Sequence, residues 1–439
     1  MSRKASSGAD ITRRELMVGA GVGAGGLVFA SAIGEAFAAP PSHTIKVGFV
    51  SPMTGPAAGF GEGDPYVIGL VRKKLRHGIH IGGRRYAVDI IPKDSQSDPT
   101  HASEVAKELI DRDKVDIMLS TSTPEVVNPV ADACEAAGMP SMSTTVPWES
   151  FYFGRGARPG QPSPFHWTYL FSFGVGDFAK CYFGLWDGPV ANNKIVGALY
   201  PNDADGNAVR HGLIPLLEKG GYHVVDAGGY EDGTTDFSAQ IAKFKAANCQ
   251  IFNTFPIPPD FATFWRQAAQ QGYTRMVKIA QIAKTGLFPS QVEALGSLGY
   301  NLATGAYWAP TFPYKSSLTG MSSQELTDGY QTTTGRQWNQ QLGATMSLFD
   351  VGFAALEASH HPKDKADVAK AMSRLKVMTM EGHLDWTKGP VPNCVKTPII
   401  GCQWIKAKPG SKYKLDLVMT NSADDPNVPD AAKLVPYNA

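Results

Sequence analysis

From residue 44 onward the chain alternates short apolar runs with stretches in which apolar residues recur every three or four positions. Short apolar runs bounded by turn residues read as buried strands, and the longer spacing reads as helices with one apolar face. Runs at 44–50, 86–91, 115–119 and 139–142 predict strands, and the intervening 65–75, 99–111 and 124–138 predict helices. An irregular segment rich in Gly, Pro and aromatic residues follows at 151–166. A second alternating set begins near residue 168. Its predicted strands are 194–200, 223–226, 250–255, 276–280 and 303–308, and its helices 177–186, 208–219, 237–246, 260–271 and 289–295. Three helical patterns then come in succession, 323–334, 342–359 and 365–374, before a strand-and-turn-rich tail from 382. Alternation at this spacing predicts an α/β fold with doubly wound parallel sheets. Two such sets, with helices free to return to the first, predict two lobes joined by several crossings. A length of 439 residues likewise exceeds what one ordinary core serves.

The pattern is most informative between residues 115 and 148. The hydroxyl-rich turn Ser120-Thr121-Ser122-Thr123 follows one predicted strand, and Pro124 opens the helix after it. The next predicted strand runs into Ser143-Thr144-Thr145 and then Trp148. Both loops lie at carboxyl ends of parallel strands, the edge at which open α/β sheets bind ligands. The first is also a helix N-terminus, whose unpaired N–H groups and dipole favour an anion such as a carboxylate. One Ser/Thr loop is explained by helix capping alone; two on consecutive strands point to a site.

Charge changes this picture only by exclusion. Lys+Arg 41 against Asp+Glu 40 gives no basic surplus, so nucleic acid is not an expected partner. The N-terminus carries Thr12-Arg13-Arg14-Glu15-Leu16-Met17, an uncharged stretch over 18–34 and Ala36-Phe37-Ala38. Paired arginines before a modestly apolar stretch and a small-residue cleavage site read as a twin-arginine export signal over residues 1–38. Residues 21–26 match GxGxxG formally, but they follow no strand and fall inside this signal. Removing residues 1–38 leaves 37 charges of each sign.

No GxSxG elbow, phosphate-binding loop or HExxH motif is found, which weighs against an enzyme. Asp203-Ala204-Asp205-Gly206-Asn207 begins like a calcium loop, but Ala208 replaces the turn glycine and Ile214 the acidic twelfth ligand, so a helix cap is the simpler reading. His360-His361 has no partners at ligand spacing and is accounted for by a helix C-terminus. No metal and no cofactor is expected. Export implies an oxidising compartment. Cys134, Cys181 and Cys249 read as buried apolar residues, whereas Cys394 and Cys402 flank 395–401 in a hairpin-like region and form the candidate disulfide, with register deciding between a bridge and two thiols.

Several segments resemble a known family. Residues 45–56 (IKVGFVSPMTGP) are similar to its opening strand and S/T-G-P loop. Asp98-Pro99 opens a helix like its D-P-x-x-A helix, and Asp236-Phe237-Ser238 resembles its D-F-S helix start. Arg266-Gln267-Ala268 with Gly272, and Gly382-His383-Leu384-Asp385-Trp386, resemble two further motifs in the family's order. On these residues the chain resembles the periplasmic substrate-binding proteins of ABC importers, in the group that includes the leucine/isoleucine/valine-binding protein. The resemblance implies two doubly wound lobes joined by three crossings, a ligand in the cleft, permease subunits as membrane partners, no catalysis, a periplasmic location and a monomer. It also implies lobe 1 over 39–166, lobe 2 over 167–299, a return to lobe 1 over 300–378, and a return to lobe 2 with the tail over 379–439. Carried over by position, Phe60 resembles the aromatic residue lining the cleft. Thr121, Ser122 and Thr123, and then Ser143, Thr144 and Thr145, resemble the two carboxylate-binding loops. Asp205 falls near a position that is often Tyr in the family. A ligand-sensing module for a membrane receptor is the alternative from another class.

The ligand expectation rests on one loop. Amino-acid binders of the family hold the ammonium with an acidic residue after a second-lobe strand. Here that loop reads Gln281-Ile282-Ala283-Lys284-Thr285-Gly286, with Lys284 and no acid. A cation there repels an ammonium and attracts an anionic or polar group. With Phe60, Trp148 and Phe255 as apolar walls, an aromatic, branched or dicarboxylic acid is expected. If Lys284 faces solvent and Asp203 or Asp205 supplies the charge, an amino acid is expected instead.

Overall fold

The computed structural model describes residues 43–438; the expected signal, with Arg13 and Arg14, lies outside the described residues. The first lobe opens with β1 (His43–Ser51), α1 (Asp64–Lys74), β2 (Ile79–Ile81), β3 (Arg84–Asp94) and α2 (Pro99–Glu108). It continues with β4 (Ile117–Thr121), α3 (Pro124–Ala137), β5 (Ser141–Thr144), α4 (Trp148–Tyr152) and β6 (Thr168–Phe171). The chain then builds the second lobe. This comprises α5 (Val175–Trp186), β7 (Ile195–Pro201), α6 (Ala204–Lys219), β8 (His223–Tyr230), α7 (Ser238–Ala246), β9 (Ile251–Thr254), α8 (Pro258–Gln270), β10 (Ile279–Ile282), α9 (Pro289–Glu293) and β11 (Ala303–Ala306). There follow α10 (Ser323–Thr334), α11 (Gln341–Ser359), α12 (Lys365–Met372), the hairpin β12 (Lys376–Thr379) and β13 (Gly382–Asp385), and β14 (Cys394–Val395). The strands β15 (Ile400–Lys406) and β16 (Leu415–Asn421) close the second sheet.

One sheet has the order β14-β6-β5-β4-β1-β3-β2 and the other β16-β15-β11-β10-β9-β7-β8. Pairing is parallel except at β2 with β3, β11 with β15, and β15 with β16. The chain therefore passes between sheets three times, after Phe171, after Ala306 and after Val395. The doubly wound, two-lobed architecture expected from the alternation is present. Its crossings fall later than 166, 299 and 378: β6 is still in the first sheet, β11 still in the second, and β14 returns to the first. The segment 151–166 lacks periodicity but is not loose. Instead, Phe151 and Phe165 pack with Val127 and Leu170 of the first lobe, and the Arg155 guanidinium lies 4.5 and 4.2 Å from those two rings.

Local chemistry explains the ends of the elements. The Asp98 carboxylate accepts from His101 N–H (2.7 Å) to start α2, and Asp203 accepts from Gly206 N–H (2.6 Å) to start α6. Gly138 ends α3 at φ 61°, a left-handed position that glycine takes without penalty. Helix α11 is buried on nearly every face and packs on β4, β5, α1 and α12. It is tied to the first strand through Asp64, which accepts from Ser51 Oγ (2.6 Å) and Thr345 Oγ1 (2.8 Å).

The expected Cys394–Cys402 bridge is not formed. Cys394 lies in β14 of the first sheet and Cys402 in β15 of the second, where its thiol donates to the Thr304 carbonyl (3.3 Å). Residues 395–401 contain a crossing rather than a hairpin turn, and all five cysteines are free and buried. Among the described residues no helix is long and apolar enough to cross a membrane.

Candidate functional site

The carboxyl ends of both sheets face one narrow cleft with a cavity volume of about 40 Å³. Its first-lobe side is made by the loops after β4 and β5, where Ser122, Thr123 and Thr145 reach the cleft. Thr123 is the N-cap of α3, but its side chain makes no capping bond, so the amides at this helix start are not closed off by their own cap. Such an uncapped start is an anion-binding feature. Ser122 (φ 138°) and Thr145 (φ 71°) both have positive φ. Non-glycine residues hold such conformations at a cost, and this strain concentrates at functional sites.

The walls are aromatic. Phe173 stacks on Tyr307 (centroids 5.6 Å) and meets Phe178 edge-on (5.1 Å), and Phe178 meets Phe255 edge-on (4.9 Å). Phe60 from the first lobe meets Phe288 from the second at 4.9 Å, and Glu125 of α3 accepts from Ala204 N–H of α6 (3.2 Å). These two contacts bring the lobes together on either side of the cleft.

The second-lobe side is ionic. Lys284 Nζ lies 3.0 Å from Asp203 Oδ2 and 3.0 Å from Asp205 Oδ2. All three side chains are at most 10% exposed. Burial works against the Lys284 ammonium, but Asp205 and then Asp203 hold it charged, well above the usual lysine range. Burial pushes the Asp205 carboxyl up, opposed by Lys284 and reinforced by Glu125 and Asp203. Asp205 Oδ1, Ser122 Oγ and Thr304 Oγ1 are buried without a hydrogen-bond partner, and all three residues line the cleft. Lys284 also has positive φ (30°), so the strained backbone occurs on both sides of the cleft.

Seven of the candidate residues line the cleft: Phe60, Ser122, Thr123, Thr145, Asp205, Phe255 and Lys284. Four do not. Thr121 accepts from Gln341 Nε2 (2.6 Å) and bonds to Thr145 Oγ1 (3.0 Å). Ser143 pairs with Ser120 (Oγ–Oγ 2.9 Å), and Thr144 Oγ1 donates to the Phe171 carbonyl (2.8 Å). These hydroxyls belong to the strands and form a satisfied layer beneath the loops. Trp148 begins α4, packs on Phe153 (5.6 Å) and Gly174, and is not among the cleft-lining residues. Phe173 and Tyr307 stand where an aromatic wall was sought. Both follow carboxyl ends of strands, β6 and β11, so the edge rule applied there finds them. Gln341 was invisible: its Oε1 accepts from Tyr307 OH (3.1 Å) while its Nε2 holds Thr121, a link made only by folding. The expectation that Lys284 is open to an anionic group is corrected, since two carboxylates already occupy it.

Fold and site define a two-lobed binding protein of the type I periplasmic class, with a ligand cleft spanned by three crossings. The chain belongs to the periplasmic binding protein family, whose model matches residues 44–396. Comparison with curated proteins finds no match. A solute-binding protein of an ABC transporter from Rhodopseudomonas palustris BisB5, in complex with 3,4-dihydroxybenzoic acid, is similar at TM-score 0.68 and 19% identity, covering 87% of this chain and 99% of that one. A second R. palustris solute-binding protein, in complex with 4-hydroxybenzoate, has TM-score 0.69 at 19% identity, covering 86% and 96%. The branched-chain amino acid binding protein LivJ of Streptococcus pneumoniae, in complex with isoleucine, has TM-score 0.65 at 15% identity, covering 90% and 99%. These likenesses extend over the Leu/Ile/Val-binding group and establish the shared fold.

Proposed function

We propose that this chain is the exported solute-binding component of an ABC-type importer. It closes on a small aromatic carboxylate that also carries a hydrogen-bond donor, and delivers it to permease subunits in the membrane. The observation that carries this reading is the polarity of the cleft. Uncapped amides and hydroxyls at Ser122, Thr123 and Thr145 face an aromatic box, beyond which the unpartnered Oδ1 of Asp205 waits for a donor. The ligand carboxylate sits on the first-lobe loops, its ring lies among Phe60, Phe173, Phe178, Phe255 and Tyr307, and its hydroxyl donates to Asp205. A dicarboxylate fits poorly, because its second charge would meet Asp203 and Asp205 around an ammonium already paired. The two R. palustris proteins that share the fold hold hydroxylated benzoates, which have this bifunctional character. A second reading is favoured by Asp205 alone: the same oxygen would accept from the ammonium of an amino acid.

Thermal-shift and calorimetric titrations with 4-hydroxybenzoate, benzoate, terephthalate, phenylalanine and isoleucine separate these readings. Saturable binding of 4-hydroxybenzoate is expected, with benzoate at least about tenfold weaker because a buried acceptor is left unmet. Binding of isoleucine with no response to 4-hydroxybenzoate overturns the aromatic reading in favour of the amino acid. Export is tested by replacing Arg13 and Arg14 with Lys, which is expected to retain precursor; the mature chain is expected to begin near Ala39.

A further inference from the structure

A second, polar pocket with a cavity volume of about 370 Å³ borders the crossings. It lies among Asp177 of α5, the tip of the β12–β13 hairpin, residues 396–398 and the Asp424–Asp425 pair. Three of its four carboxylates are satisfied. Asp177 is held by Lys396 Nζ and by the Gly174 N–H (2.9 Å). Asp424 accepts from Lys180 Nζ (2.7 Å) and Ile399 N–H (2.8 Å). Asp425 accepts from the Tyr314 hydroxyl and from Asn427 N–H (3.1 Å).

Glu381 is the exception. It sits in the two-residue turn between the paired Thr379 and Gly382, yet is only 2% exposed. Its Oε1 is buried with no hydrogen-bond partner, and so is Oγ1 of Thr397, also 2% exposed, on the third crossing. Burying a carboxyl without a partner is costly, and native structures keep such groups for a reason beyond packing. Burial alone pushes the Glu381 carboxyl well above the usual range, a penalty that a neighbouring cation offsets.

We infer that this pocket is a second binding site, for a small organic cation whose primary ammonium donates to Glu381 Oε1 and Thr397 Oγ1. The sign of the charge follows from Asp177, Asp424 and Asp425 set against Lys396 and Lys180. Two considerations select an ammonium over a metal ion. Among the described residues no group of three or more His, Cys, Asp or Glu is placed to hold a metal. The two orphaned atoms also need N–H donors, which an ammonium supplies with one to spare. The site reports on lobe closure because it touches the linkers themselves: Thr397 lines this pocket and Ile399 the cleft, while Phe173 lines the cleft and Asp177 this pocket. An occupant with different affinity for the open and closed forms shifts their populations and thereby the affinity of the main cleft.

The test titrates the protein with ethylammonium chloride at fixed ionic strength, using tetramethylammonium chloride as a cation without N–H donors. Saturable stabilisation by ethylammonium alone is expected, at least tenfold weaker in Glu381→Gln and in Thr397→Val. If Glu381→Gln does not fold, Thr397→Val carries the comparison. Absence of a saturable response, an equal response to tetramethylammonium, or wild-type affinity in the folded variants overturns the inference. None of these outcomes depends on which solute the main cleft takes.

Discussion

Replacing Lys284 with Met removes the one cation between Asp203 and Asp205. The ammonium is 3.0 Å from each carboxylate, and side-chain exposures of 7%, 10% and 7% leave little room for water to take its place. Removing one partner of a buried ion pair costs about 3–5 kcal/mol, because the remaining charge stays buried and unmet. Here two carboxylates remain, with Glu125 close enough to raise the Asp205 carboxyl further, so the upper part of that range is expected. Such a loss is a large share of the roughly 5–15 kcal/mol that typically separates folded from unfolded. The double variant Lys284→Met, Asp205→Asn removes one of the stranded charges and should recover about 1–3 kcal/mol as a pairwise coupling. The sign with pH is also fixed. Without Lys284 the Asp205 carboxyl is pushed up in the folded state, so folding favours its protonated form and the deficit shrinks as pH falls. Urea unfolding of the wild type, the single variants and the double variant at pH 6 and pH 8 measures all three effects. A loss below about 1 kcal/mol for Lys284→Met, or no recovery in the double variant, would mean that the triad is not buried as described.

Three further outcomes are expected. Burial raises the Asp64 carboxyl to about 6, and those of Asp350 and Glu149 to about 7, from the ordinary carboxylate range. A raised carboxyl contributes stability at low pH that is lost as pH rises through its folded value, so the melting temperature should be higher at pH 5.5 than at pH 8, and Asp350→Asn should flatten the slope; a rising melting temperature over that interval contradicts the assignment. Gly343→Ala sets a Cβ 2.0 Å from Cγ of the fully buried Trp308, an overpacking expected to cost about 1–3 kcal/mol and to change tryptophan fluorescence; wild-type stability would show that the indole has room to move. Thiol titration of the denatured, unreduced protein should count five free thiols, and a count of three would restore the Cys394–Cys402 bridge.

The alternation of apolar runs and helical spacing was enough to read the two α/β lobes, because buried parallel strands and amphipathic helices leave unlike periodicities. The places where the chain changes lobe left no such trace. Nothing in Thr168–Phe171 or Ala303–Ala306 distinguishes a last strand of one sheet from a first strand of the other; pairing partners do, and they lie far away in sequence. The same holds for the cleft. Ser122, Thr123 and Thr145 were legible from the edge rule. The state of Lys284 was not, because it is bonded to an aspartate 81 residues earlier. Trp148 was singled out by size and proximity, yet Phe173, at the first crossing, fills the wall. Cys394 and Cys402 looked paired only while the segment between them was taken for a hairpin.

The composition of each sheet has a consequence for how the chain matures. Strand β6 stays an open edge of the first sheet until Cys394–Val395 arrives, and β11 stays an open edge of the second until Ile400–Lys406 is in place. A nascent or truncated chain ending before residue 394 would therefore present two bare strand edges at once, each a template for pairing with another molecule. Residues 394–421 act as a clasp that covers β6 and β11 in one stroke, so loss of this segment is expected to give aggregation rather than a smaller folded protein.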